Sequence, residues 1–318
     1  MTIRTDRPKI FLTPSIVAIL KTRVAKPTSR MSNLISLCDR STEPTWDIGI
    51  INHCLAYVVT GNPKYSANAY NLMSQSMASG IGQVTGDSGY QARNLFPAAS
   101  VVLDWCYPAL TAAQRTALVA SIEMCADWIY PRTNPSRVGQ WGVEQYGNNY
   151  HAGFQYTWTA GLALYGDSAK AQGYIDEGLR RWNSDVLPYL NTTAAGGALL
   201  EGTSYSVDYL GMTMLQLLAH STATDTDLLT PQLATGWCSD AIRWLAHMTA
   251  PTMDRLAPIG DQTKNSGGAL QDAARLPMLI AASKGNLDAK AWLDNTIPPI
   301  SQQRLNAWIE TLLYPETL

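Results

Sequence analysis

Charge is scarce in this chain: only 15% of its 318 residues are Asp, Glu, Lys or Arg, against 46% that are hydrophobic. A composition so poor in charge excludes a solvated, disordered chain, and the apolar share is enough to bury a large core as one big domain or two intimate ones, with a single domain over 1–318 the expected arrangement. A basic excess is missing as well, since 23 Lys and Arg face 25 Asp and Glu for a net charge of -2. Nucleic acid is therefore not an expected partner, because a phosphate backbone demands a positive surface. Long apolar runs are absent: no stretch approaches the ~18 uninterrupted apolar residues of a membrane span, so a membrane is not an expected partner either. The N-terminal MTIRTDRPKIFLTPS has no signal-peptide core. The compartment stays open on that basis: secreted, periplasmic or virion-associated if a leader or carrier is missing, and otherwise cytoplasmic.

Cysteines are few, and the five present (Cys38, Cys54, Cys106, Cys125 and Cys238) are odd in number and lack CxxC spacing. This argues against a disulfide framework or a zinc site, and their apolar surroundings mark them as buried thiols. Phenylalanine is nearly missing, at 3 residues against 10 Trp and 15 Tyr, so the aromatic set is dominated by rings with a polar handle. Such rings suit a wet, carbohydrate-lined groove, although the core is the ordinary place for any one of them.

Strand signals are almost absent, whereas apolar residues recur at three- and four-residue spacing throughout, so the expected class is all-α. The stretch Ile50 to Val59 is apolar except for Asn52 and His53, as for a helix buried on most sides. It ends in Thr60-Gly61-Asn62-Pro63, where glycine suits the left-handed C′ position, asparagine caps the next helix and proline fits its first turn. The grammar returns where Ala160 to Tyr165 runs into Gly166-Asp167-Ser168 and a helix follows through Arg180. Further helices are expected at about 91–105, 111–129, 205–221, 236–248, 270–283 and 301–313. Serial antiparallel hairpins with alternating apolar and amphipathic members predict an incomplete (α/α) toroid rather than a solenoid, since no fixed repeat length is visible.

Three polar, Gly-rich stretches interrupt the helical grammar: Gly80 to Tyr90, Pro131 to Asn149, and Asn191 to Gly202. Each precedes a candidate inner helix, so their tips are expected to meet at one mouth, where function concentrates. In the second, Trp141 and the run Gly147-Asn148-Asn149-Tyr150-His151 open a helix. An asparagine there caps the helix in the ordinary case, and His151 in the first turn would be kept neutral by the dipole and fit to act as a base. In the third, Glu201, Tyr205 and Tyr209 follow the glycines, and the two tyrosines share a helix face at four-residue spacing. Gln91, Arg93 and Asn94 in GYQARN, with Trp141 and Trp158 as stacking surfaces, complete the candidate substrate contacts.

Together these side chains suit β-elimination across a uronic-acid residue. Removing the proton beside the carboxylate builds enolate charge that Asn amides or a His can stabilise, while a Tyr or His takes the proton and a Tyr protonates the leaving glycosidic oxygen. The chemistry requires no metal and no cofactor, and the expected partner is an acidic polysaccharide.

The segments RPKIFLTPSIVAILKTRV, INHCLAYVVTGNPKY, VVLDWCYPALTAAQRTAL, GNNYHAGFQYTWTAGLALYGD and EGTSYSVDY, in this order, resemble the α/α-toroid domain of the heparinase II/III and alginate lyase superfamily. The resemblance runs from about Arg7 to Asp261. It implies Asn149 as the group that neutralises the substrate carboxylate, His151 as base or carboxylate partner, and Tyr205 as acid/base, with Tyr209 in reserve. Asn148, Gln91, Arg93, Trp141, Trp158 and Glu201 are the expected substrate contacts beside these, and Asp261, whose Gly-Asp pair resembles a family turn near the cleft, reads first as a structural cap. Two departures stand out: Tyr150 separates Asn149 from His151, and the β-sandwich domain that family members append is not seen up to Leu318. The rival readings are an α/α-toroid hydrolase and a non-catalytic carbohydrate-binding helical domain. The hydrolase needs two carboxylates from Asp47, Asp104, Glu144, Glu201 and Asp208, with Glu144 and Glu201 the leading pair.

Overall fold

A glycine that can take positive φ, followed by a side chain that caps the next helix, turns this chain back on itself. The computed structural model describes residues 1–26, 29–40, 48–78, 92–129, 157–199, 202–259, 267–296 and 307–314. Its helices begin with α1 (Pro14–Val24), α2 (Arg30–Arg40), α3 (Ile48–Thr60), α4 (Pro63–Ala78), α5 (Ala92–Trp105) and α6 (Ala112–Ile129). A helix described over 157–164 (α7) leads to α8 (Ala171–Arg181), which passes through a π-helical turn at Trp182–Val186 into α9 (Leu187–Thr192). Then come α10 (Gly202–Ala223), α11 (Leu229–Ala234), α12 (Trp237–Met248), α13 (Gly267–Ser283), α14 (Leu287–Asn295) and α15 (Ala307–Leu313). Among the described residues the chain is all-helical, with two isolated β-bridges and no strand. None of these helices is long and apolar enough to cross a membrane.

The two hairpins read from the sequence form as their residues dictate. Gly61 ends α3 at φ 69°, its N–H donating to the Tyr57 carbonyl at 2.7 Å, and the Asn62 side chain accepts from the Lys64 N–H at 3.1 Å. Gly166 takes φ 97° after α7, and the Ser168 hydroxyl accepts from the Lys170 N–H at 3.0 Å. A third copy joins α13 to α14: Gly285 stands at φ 87° and Asn286 accepts from the Ala289 N–H at 2.9 Å. The pair α7 and α8 packs with almost no gap. A Cβ on Gly161 would lie 2.8 Å from Ile175 Cγ1, and one on Gly178 would lie 2.5 Å from Trp158 Cβ.

Residues 2–12 run across the C-terminal ends of α5, α7 and α10. Asp104, fully buried near the end of α5, accepts from the N–H groups of Lys9 and Ile10 at 2.8 and 3.0 Å and from Arg7 Nη1 at 3.2 Å. Arg7 also donates to the Ala163 carbonyl at 3.0 Å and pairs with Asp167, while Lys9 Nζ donates to the Tyr165 carbonyl at 2.9 Å. Arg4 donates to the Thr222 carbonyl at 2.9 Å. Three cations within six residues thus meet carbonyls in the last turns of α7 and α10, where the helix dipole is negative.

At the other end of the sequence, α15 packs against α2, α3 and α13. Asn52, a polar exception in the apolar run of α3, accepts from the Trp308 N–H at 2.9 Å and so caps the first turn of α15. The Trp308 ring lies 5.8 Å from Phe11 and 6.2 Å from Trp105, and Arg275 of α13 donates to Glu310 at 2.5 Å. All five cysteines are buried free thiols.

The contact of Gly178 with Trp158 sets a stability test. Gly178→Ala forces a methyl into a space already filled and is expected to cost about 1–3 kcal/mol. Gly173→Ala, where a Cβ meets nothing within 4 Å, is expected to gain up to about 1 kcal/mol from helix propensity. Urea unfolding of the two variants measures both, and equal midpoints would refute the packing account.

Candidate functional site

The best described part of the predicted site is the start of α10. The chain reaches it through Gly196, Gly197 and Gly202, whose φ angles of 89°, 94° and 75° only glycine adopts without strain. At Gly197 the backbone lies directly on α12, since a Cβ there would come within 2.5 Å of Ala241 Cα and N. Trp237, also on α12, donates its indole N–H to the Ala194 carbonyl at 2.9 Å. One side of the Gly-rich stretch is therefore held by α12.

The other side is held by the segment after α12, a tight turn closed by the Thr249–Leu256 bridge. Thr203 is fully buried there. Its N–H donates to the Ile259 carbonyl at 2.9 Å, its hydroxyl donates to the Ala257 carbonyl at 2.8 Å, and it accepts from the Ile259 N–H at 3.2 Å. Thr203 was not singled out by the sequence, although a Thr just after a positive-φ glycine at a helix start is a legible capping signal.

Tyr205, one residue beyond Ser204, is partly exposed. Tyr209, one turn further on, is fully buried, with its ring edge-on to Trp237 at 5.9 Å between centroids. The reserve role read for Tyr209 is therefore corrected: a phenol with no solvent-facing surface has no path to a polymer. Trp158 is corrected likewise, because its ring is fully buried against Gly178 and His220 and has no face on which a sugar can stack. Arg93 lies in the first turn of α5, with its side chain outside the described residues. Gln91, Trp141, Asn148, Asn149, His151 and Glu201 lie outside the described residues altogether, as do Asp47, Glu144 and Asp261.

No protein-family model matches the chain, and no curated protein matches it.

Below Tyr205 the same helix carries a buried polar seam that the sequence reading missed. Ser206, Tyr209, Thr213, Gln216 and His220 recur at three- and four-residue spacing, and all are buried. Against the seam stands α7, whose Thr159 hydroxyl donates to Gln216 Oε1 and whose Trp158 ring lies 5.1 Å from the His220 ring. Among the described residues neither ring nitrogen of His220 finds a hydrogen-bond partner. Burial drives its pKa down from 6.5 to about 4, against the opposing pull of Asp225 and Asp227. Away from the seam, the described surface has a cleft of about 430 Å³ near the N-terminal segment, lined by Asp6, Arg7, Lys21, Tyr57 and Trp105 among others, and none of the predicted site residues belongs to it.

His220 makes stability depend on pH. Above pH 6.5 the ring is neutral whether the chain is folded or unfolded, so it contributes no pH dependence there. As pH falls from 6.5 to about 4, the unfolded chain takes up a proton that the folded one refuses, and stability drops by up to roughly 1.4 kcal/mol per unit. Denaturant titrations across that window should show a shallower slope in His220→Gln than in wild type. Parallel slopes would remove His220 as the cause.

Proposed function

We propose that the chain is an (α/α)-toroid polysaccharide lyase domain, similar to the heparinase II/III and alginate lyase superfamily, that cleaves a uronic-acid-containing polysaccharide by β-elimination. The observation that carries this reading is the contrast along α10: Tyr205 meets solvent on a first turn held from two sides, while Tyr209 is sealed in the core. A phenol at a rigid, partly exposed helix start is suited to transfer a proton at a fixed point in space.

The toroid part of the proposal has two supports. The N-terminal segment meets the C-terminal ends of α5, α7 and α10 and so gathers three helix ends, and Thr159 of α7 bonds to Gln216 of α10. The packing of α15 on α2 and α3 joins the end of the helical series to its beginning.

In the proposed reaction Asn149 neutralises the carboxylate of the uronate, which acidifies the adjacent C–H. His151 or Tyr205 takes that proton, the electron pair of the C–H bond forms a carbon–carbon double bond, and the bond from the β-carbon to the glycosidic oxygen breaks. Tyr205 supplies the proton to the departing oxygen. Asn148, Gln91, Arg93, Trp141 and Glu201 are proposed to bind the flanking sugars. The rival two-carboxylate hydrolysis loses Asp104, which is fully buried and committed to Arg7 and two backbone N–H groups.

Incubating the purified chain with a panel of polyuronates, alginate included, should raise absorbance near the ultraviolet edge as the unsaturated product forms. Tyr205→Phe is expected to lower turnover at least about 100-fold while leaving the unfolding midpoint unchanged. New reducing ends without the absorbance rise would replace elimination by hydrolysis, and full activity in Tyr205→Phe would take Tyr205 out of the mechanism.

A further inference from the structure

In the first turn of α10, Thr203 is hydrogen-bonded to a segment distant in sequence through both its backbone N–H and its hydroxyl. Its N–H meets the Ile259 carbonyl, its hydroxyl donates to the Ala257 carbonyl, and the Ile259 N–H donates back to that hydroxyl. The side chain is fully buried, so water does not compete for these bonds. A helix N-terminus has N–H groups without intrahelical partners and frays unless something outside holds them. Here the hold comes from residues 257–259.

That segment is itself held. The Ala257 N–H donates to the Met248 carbonyl at 2.6 Å, and the Ala250 N–H donates to the Arg255 carbonyl at 2.8 Å, which closes the turn at the end of α12. Trp292 of α14 adds its indole N–H to the Thr249 hydroxyl at 2.8 Å. The position of Thr203 is thereby referred to the C-terminal end of α12 and to α14. Tyr205 follows two residues later, and no intervening residue provides a hinge.

We propose that Thr203 is a positioning residue for Tyr205: its hydroxyl locks the first turn of α10 to residues 257–259 and so determines where the Tyr205 phenol stands. The proposal rests on the lyase reading. Replacing the hydroxyl by a methyl keeps the β-branched shape but breaks both side-chain bonds and leaves the Ala257 carbonyl without this donor. The first turn then loosens, and a proton-transfer group displaced by even a fraction of an ångström loses rate rather than affinity.

The test compares wild type, Thr203→Val, Thr203→Ser and Tyr205→Phe on the polyuronate that wild type turns over. Thr203→Val is expected to lower kcat about tenfold or more with KM within about twofold of wild type, and Thr203→Ser to recover most of that loss. Amide hydrogen exchange should accelerate in Thr203→Val at residues 202–206 while α13 stays protected, which separates local loosening from global unfolding. Wild-type kcat in Thr203→Val, or a Thr203→Ser variant as impaired as Thr203→Val, overturns the proposal alone, provided that Tyr205→Phe is inactive. A loss in Thr203→Val that tracks global unfolding overturns it too. A wild-type chain that forms no unsaturated product from any polyuronate removes the lyase reading, and the proposal with it, whatever the exchange data.

Discussion

The carboxylate of Asp104 is the interaction on which the arrangement of helices rests. An anion with no solvent contact is costly to bury unless each oxygen is satisfied, and here both are: two backbone N–H groups from Lys9 and Ile10 on one, Arg7 on the other. Desolvation pushes the Asp104 carboxyl up, while Arg7 and the two N–H groups pull it back. Once these bonds are made, residues 7–10 have no freedom left, and Arg7 and Lys9 stand where the last carbonyls of α7 need donors. Trp105 completes the anchor by donating its indole N–H to the Ile10 carbonyl at 2.9 Å. One buried charge thus ties an extended segment with no regular structure of its own to three helices.

The cationic segment collects C-terminal helix ends. Carbonyls are satisfied by Arg4, Arg7 and Lys9, so the negative ends of α7 and α10 are occupied by structure. At the opposite end of α10 the hold is of another kind, the Thr203 N–H donating to the Ile259 carbonyl at 2.9 Å. Duties are also separated along α10, where Tyr205 in the first turn meets solvent while the seam from Ser206 to His220 turns inward to α7. The cost of burying His220, which has no hydrogen-bond partner among the described residues, is kept low by leaving the ring neutral.

The hairpins were legible because their signals are local. Positive φ at glycine and a side-chain cap one or two residues later depend on nothing beyond the turn, and Gly61-Asn62, Gly166 to Ser168 and Gly285-Asn286 all obey the rule. Helix starts were less legible where capping comes from outside. The expected start of the helix near 205 moves back to Gly202, since Thr203 finds its partners some fifty residues away. In the helix expected over 301–313, of which 307–313 are described, the Trp308 N–H finds its partner in Asn52 of α3. Asn52 read as a blemish in an apolar helix because the group that needs it lies at the far end of the chain.

The sequence by itself determined the helical class, the turns and the short list of polar side chains able to do chemistry, because each follows from spacing and composition along a few residues. Only the tertiary structure decided which member of a matched pair is buried and which meets solvent. Tyr205 and Tyr209 share a helix face and a chemistry, yet Trp237 seals one and leaves the other in solvent. Trp158 has the ring of a sugar platform, yet Gly178 removes the Cβ that would have kept α8 away and the ring is buried. Burial and hydrogen bonding between residues far apart in sequence are set by packing, and no local pattern encodes them.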